Sequence, residues 1–151
     1  MSNNPPGGTL GSTLGTGKLG ALIEEAAGGK PVKARTIEKL AREHGVPVSR
    51  LYIAAAARPT IQFARENKVS FVVCAGNCLG QGGMACLDHL VEVRQARARK
   101  WFTKTFDIET RACLNRCDFS PAIRADSKDG SAVLEKATKE DLDEAIEMFC
   151  G

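Results

Sequence analysis

Histidine and the large aromatics are scarce here: two His, one Trp and one Tyr in 151 residues. A Rieske-type centre needs two His ligands. The two available, His44 and His89, fall in helix-like segments, where ordinary helix residues are expected. An excess of one charge is also lacking, since 21 Lys plus Arg against 18 Asp plus Glu leave a formal +3. With no basic stripe interleaved with aromatics, nucleic acid is not an expected partner. No run approaches the roughly 18 apolar residues of a membrane span, so direct insertion is not expected. The N-terminus, from Met1 to Gly8, has neither the basic start nor the apolar centre of a secretory signal, and cytoplasm is the expected compartment. Around Gly17-Lys18 a phosphate loop fails, because Ser12 replaces its first glycine and Leu19 its Ser/Thr. A GxGxxG after a strand and a redox Cys-x-x-Cys are absent too. Nicotinamide or flavin binding and disulfide exchange are therefore not expected of this chain. No catalytic acid–base constellation stands out.

What is present suits a soluble globular protein, with 43% hydrophobic and 26% charged residues. Residues 1–18, rich in Gly, Ser, Thr and Pro, read as a flexible tail. Residues 19–68 read as a small helical bundle. Leu19, Leu22, Ile23 and Ala26 define one helix face ended by Gly28-Gly29, and Ile37, Leu40, Ala41 and His44 define a second capped by Gly45. Ser49 is the expected N-cap of a third helix reaching Arg58, and Thr60 to Asn67 the expected last short helix.

Residues 69–151 change pattern. Val69 to Cys74 is a β-rich apolar run, followed by a glycine-rich loop from Gly76 to Gly83. Met84, Leu87, Leu90 and Val91 open a helix whose basic end, Arg94 to Lys100, reads as exposed. Phe106 to Ala112 alternates apolar and polar residues as a half-buried strand does, with Asp107, Glu109 and Arg111 on the polar side. Ala122 to Lys136 reads as a hairpin turning through Asp126 to Gly130, and Thr138 as the cap of a closing helix. Strand–helix–strand followed by strand–strand–helix is the element order of a thioredoxin-like layer, an α/β fold.

Six cysteines without an export signal favour metal ligation or redox chemistry over structural disulfides. Four form two matched pairs, Cys74-Ala-Gly-Asn-Cys78 and Cys113-Leu-Asn-Arg-Cys117, each where a strand runs out into a loop. Neighbouring parallel strands would bring those ends to one edge of the sheet. Four thiolates complete the tetrahedral sites of two irons, one pair per iron, so the set suits a binuclear [2Fe–2S] cluster. Gly80, Gly82 and Gly83 would let backbone N–H groups approach such an anion, with Arg111 and Arg116 as nearby positive charge. A structural zinc site, a disulfide framework and unrelated buried thiols stay open as alternatives. Cys86 reads as a packing residue of the helix, with a second role as a ligand in place of Cys74 or Cys78. Cys150 reads as incidental.

These residues resemble a known family. Cys113-x3-Cys117, then Ser120-Pro121-Ala122, then Ala132 to Lys136 leading into Thr138 to Leu142, look like the second cysteine pair, following proline and closing helix of the thioredoxin-like [2Fe–2S] subunit of NADH dehydrogenase, the E subunit of bacterial complex I. Relatives of that subunit occur in formate dehydrogenases, hydrogenases and electron-bifurcating enzymes. Leu40 to Tyr52 resembles the family's helical N-terminal domain, and the likeness spans about residues 19–149. It implies a helical bundle followed by a thioredoxin-like [2Fe–2S] ferredoxin domain, with one cluster on Cys74, Cys78, Cys113 and Cys117. It also implies a non-catalytic electron-transfer role in a hetero-oligomeric, NAD(P)H-linked oxidoreductase, with FMN and NAD(P)H on a partner subunit. A freestanding ferredoxin and a zinc-binding adaptor are the alternatives. Two departures stand out: the first pair is one residue closer together than is usual in the family, and Tyr52 to Phe63 is Ala-rich, without the family's aromatic cluster.

Overall fold

The computed structural model describes residues 15–100, 104–112 and 120–150, with the side chains of Thr16, Asn77 and Cys78 outside that description. The expected tail lies outside it up to residue 14. The chain divides into two compact units, Met1–Ala64 and Arg65–Gly151.

In the first unit, α1 (Thr16–Ala27), α2 (Ala34–His44) and α3 (Val48–Ala56) pack on one another. Leu19, Ile23, Ile37 and Leu51 are fully buried, as the helical spacing predicts. Gly28 and Gly45 end α1 and α2 in the left-handed conformation, with φ of 59° and 64°. Each returns its N–H to a carbonyl of the last turn, Glu24 and Ala41. Two expectations fail. Ser49 is not a cap: the extended residue before α3 is Pro47, whose carbonyl accepts from the Arg50 amide at 3.1 Å, and Ser49 is buried inside the helix. Thr60 to Asn67 is not a helix. Val32 donates to the Gln62 carbonyl and Ala64 to the Val32 carbonyl, both at 2.8 Å, so this stretch is extended and bridged to the α1–α2 connection. Phe63 stacks on Tyr52, ring centroids 5.8 Å apart.

The second unit is a four-stranded sheet in the order β2-β1-β3-β4. Its strands are β1 (Ser70–Cys74), β2 (Asp107–Arg111), β3 (Ile123–Ser127) and β4 (Gly130–Leu134). β1 and β2 are parallel, joined through α4 (Gly83–Ala98), while β3 and β4 form an antiparallel hairpin beside β1. This is the strand order of a thioredoxin-like layer. α5 (Lys139–Cys150) closes the unit and packs against α4. Its start is a reciprocal cap, in which the Asp141 amide donates to Thr138 Oγ1 at 3.1 Å and the Thr138 amide to Asp141 Oδ2 at 3.0 Å.

The register gives the sheet one apolar and one charged face. Phe71, Val73, Ile108, Ile123 and Ala125 share the first, and Phe71 meets Phe106 edge-on at 5.0 Å. Ser70, Val72 and Cys74 share the other with Asp107, Glu109, Arg124 and Asp126. Asp107 and Glu109, expected to face solvent, are buried. Arg65 reaches over β1 to bridge Glu109 on β2 and Asp126 on β3, and Asp126 also accepts from Arg124 and from Ser131 at 2.7 Å. Asp107 accepts from the amide and the side chain of Asn67 at 2.8 and 2.9 Å. Arg94, expected in an exposed basic end, is also buried, its Nε–H donating to the Phe106 carbonyl at 3.1 Å. Arg99 and Lys100 are the exposed basic residues of that run.

These two aspartates act oppositely on acid stability. Burial pushes the Asp107 carboxyl above the ordinary range, with Asn67 hydrogen bonds only partly offsetting it. Burial also raises Asp126, but hydrogen bonds from Arg124, Ser131 and Arg65 win and hold it below that range. A raised carboxyl favours the folded state at low pH, and that contribution is lost as pH rises through the folded pKa. A lowered one contributes above the unfolded pKa, and that is lost as pH falls through the folded value. Urea midpoints of metal-free protein between about pH 3 and pH 6 should therefore show a steeper acid loss for Asp107→Asn and a shallower one for Asp126→Asn. Parallel shifts in both variants would contradict this.

Candidate metal centre

β1 ends at Cys74 and β2 at Arg111, and these residues are register partners. The pairing then runs one residue into the loops, where the Ala75 amide donates to the Arg111 carbonyl at 2.7 Å. The Cys74 side chain is buried, its thiol donating weakly to the Ala112 carbonyl at 3.9 Å. Gly76 lies so close to the same carbonyl that a Cβ placed there would overlap its oxygen. Only glycine allows this approach. A single 3-10 turn, Asn77–Gln81, follows and carries Cys78 on its backbone. Gly82, at φ 102°, then leads into α4, and a Cβ there would stand 3.5 Å from Pro121 Cγ.

Cys113 and Cys117 lie outside the described residues. The two ends of their segment do not. The chain is described up to Ala112, against Gly76, and again from Ser120, which a cis peptide joins to Pro121; Pro121 lies next to Gly82. The described residues on either side of the second cysteine pair in sequence, Ala112 and Pro121, thus lie next to Gly76 and Gly82. Pro121 is held in turn by the Ala137 amide, which donates to its carbonyl at 2.9 Å.

Cys86 braces this arrangement from α4. Its buried thiol donates to the Ala137 carbonyl at 3.5 Å. Burial, and then the negative charge of Asp141, push this thiol up, against a smaller lowering by Lys139. Cys150, at the end of α5, is also buried, 4.0 Å from the Thr105 carbonyl, and burial pushes it up likewise. His89 pairs with Asp143 at 2.7 Å, and His44 is the last residue of α2.

Among the described residues, no three His, Cys, Asp or Glu side chains are grouped to hold a metal ion. Three of the four expected ligands contribute no described side chain. What can be tested fits a cluster: Cys74 is a free thiol where β1 ends, and Ala112, the residue before Cys113 in sequence, lies against Gly76. Sequence reading singled out Gly80, Gly82 and Gly83 for close approach. Among the described residues nothing lies within 4 Å of a Cβ built at Gly80, one built at Gly82 meets Pro121 at ordinary contact distance, and Gly76 is the loop glycine with no room for one. Its only sequence signal is a glycine inside a cysteine pair at a strand end.

Strand order and pairing define a thioredoxin-like α/β unit, with Cys74 at the end of one of its two parallel strands. No family model and no curated protein matches the chain. Among solved structures it is similar to the wild-type thioredoxin-like [2Fe-2S] ferredoxin from Aquifex aeolicus. The identity is 20%, the coverage 56% of this chain and 86% of that one, and the TM-score 0.47. The fold statement above stands on strand order and pairing.

The two raised, buried thiols give a direct expectation. In folded metal-free protein, iodoacetamide should modify Cys86 and Cys150 on the order of ten-fold more slowly than in urea, read by peptide mass mapping. Modification of either at the unfolded-chain rate would contradict the burial described here.

Proposed function

We propose that this chain is an electron-transfer subunit carrying one [2Fe–2S] cluster on Cys74, Cys78, Cys113 and Cys117. One observation carries the reading. Cys74 sits level with Arg111 where the parallel strands β1 and β2 end, and Ala112, the residue before Cys113 in sequence, lies against Gly76 inside the first cysteine pair. Four thiolates in two short loops match the needs of two tetrahedral irons.

A bound [2Fe–2S] cluster supplies a reversible one-electron couple whose potential follows charge, hydrogen bonding and exposure. The residues around the loops control those terms. Cys74 is buried, which keeps water from its side of the site. Arg111, exposed and level with Cys74, supplies positive charge. α4 begins at Gly83, directly after the Cys78 turn, so the positive end of its dipole lies at that loop. Ala137, which accepts from the Cys86 thiol, holds the Pro121 carbonyl with its amide.

The partner this reading requires is a subunit that binds FMN and NAD(P)H and carries out hydride chemistry, so that single electrons reach this chain. The helical unit before the sheet favours a subunit of such a complex over a freestanding ferredoxin. Among the described residues, no helix is long and apolar enough to cross a membrane.

Anaerobically purified protein should be reddish-brown and, after dithionite, give a rhombic EPR signal of about one spin per chain. Cys74→Ser, Cys78→Ser, Cys113→Ser and Cys117→Ser should each lose most of that signal, and Cys86→Ser should keep it. Loss with Cys86→Ser and retention with Cys74→Ser would reverse the ligand assignment. Colourless protein with zinc and no iron or sulfide would end the reading.

A further inference from the structure

We draw no further inference here: the strongest candidate, the outer edge of β4, which is exposed from Gly130 to Val133 and pairs only with β3 among the described strands, carries none because nothing in the structure shows what covers it.

Discussion

The parallel pairing of β1 with β2 is the constraint on which the second unit depends. It puts Cys74 level with Arg111 and carries one further hydrogen bond into the loops, from the Ala75 amide to the Arg111 carbonyl. Everything proposed for the cysteines starts from those two strand ends. Parallel strands need a crossover, and α4 supplies it, beginning immediately after the Cys78 turn. The element that joins the strands thus also brings its N-terminus to the loop where negative charge is expected. β3 returns antiparallel on the other side of β1, which carries Pro121 back to Gly82. Topology and site are therefore one arrangement.

The charged face of the sheet is held by partners from outside the strands. Glu109 on β2 and Asp126 on β3 are both buried on one face of the sheet, on either side of β1, and their like charges would repel. Arg65 joins them across β1. Exposed pairs contribute about 0–1 kcal/mol, whereas breaking a fully buried pair costs about 3–5 kcal/mol. Arg65 is 46% exposed in its side chain while Glu109 is at 9%, so its contribution falls between those limits. Its larger consequence is positional: it fixes the chain entering the unit over the centre of the sheet. Asn67 does the same at the start of β2 through Asp107.

Features set by nearby residues were legible in the sequence. Gly28, Gly45 and Thr138 each act within one helical turn, and each caps as expected. The apolar run of β1 and the hairpin of β3 and β4 follow from composition and turn residues over a few positions. What failed depended on distant partners. Asp107 and Glu109 alternate as solvent-facing residues do, yet Asn67 and Arg65, some forty residues earlier, bury them. Thr60 to Asn67 has helix-compatible residues, but Val32 claims its backbone donors and acceptors. Arg94 looked solvated because its acceptor, the Phe106 carbonyl, belongs to a chain that has already left the helix. In the candidate site, placing Cys74 at a strand end was legible from the β-rich run before it. The role of Gly76 was not, because its constraint is a carbonyl 36 residues away in sequence.

The central claim is that four cysteines from two loops hold a single binuclear cluster within one chain. Native mass spectrometry of anaerobically purified protein tests it most directly. The account predicts one chain whose added mass equals two irons and two sulfides, removed as a unit when Cys74 or Cys113 is changed to serine. A chain carrying one zinc ion, or a cluster found only on dimers and shared between copies, would contradict it.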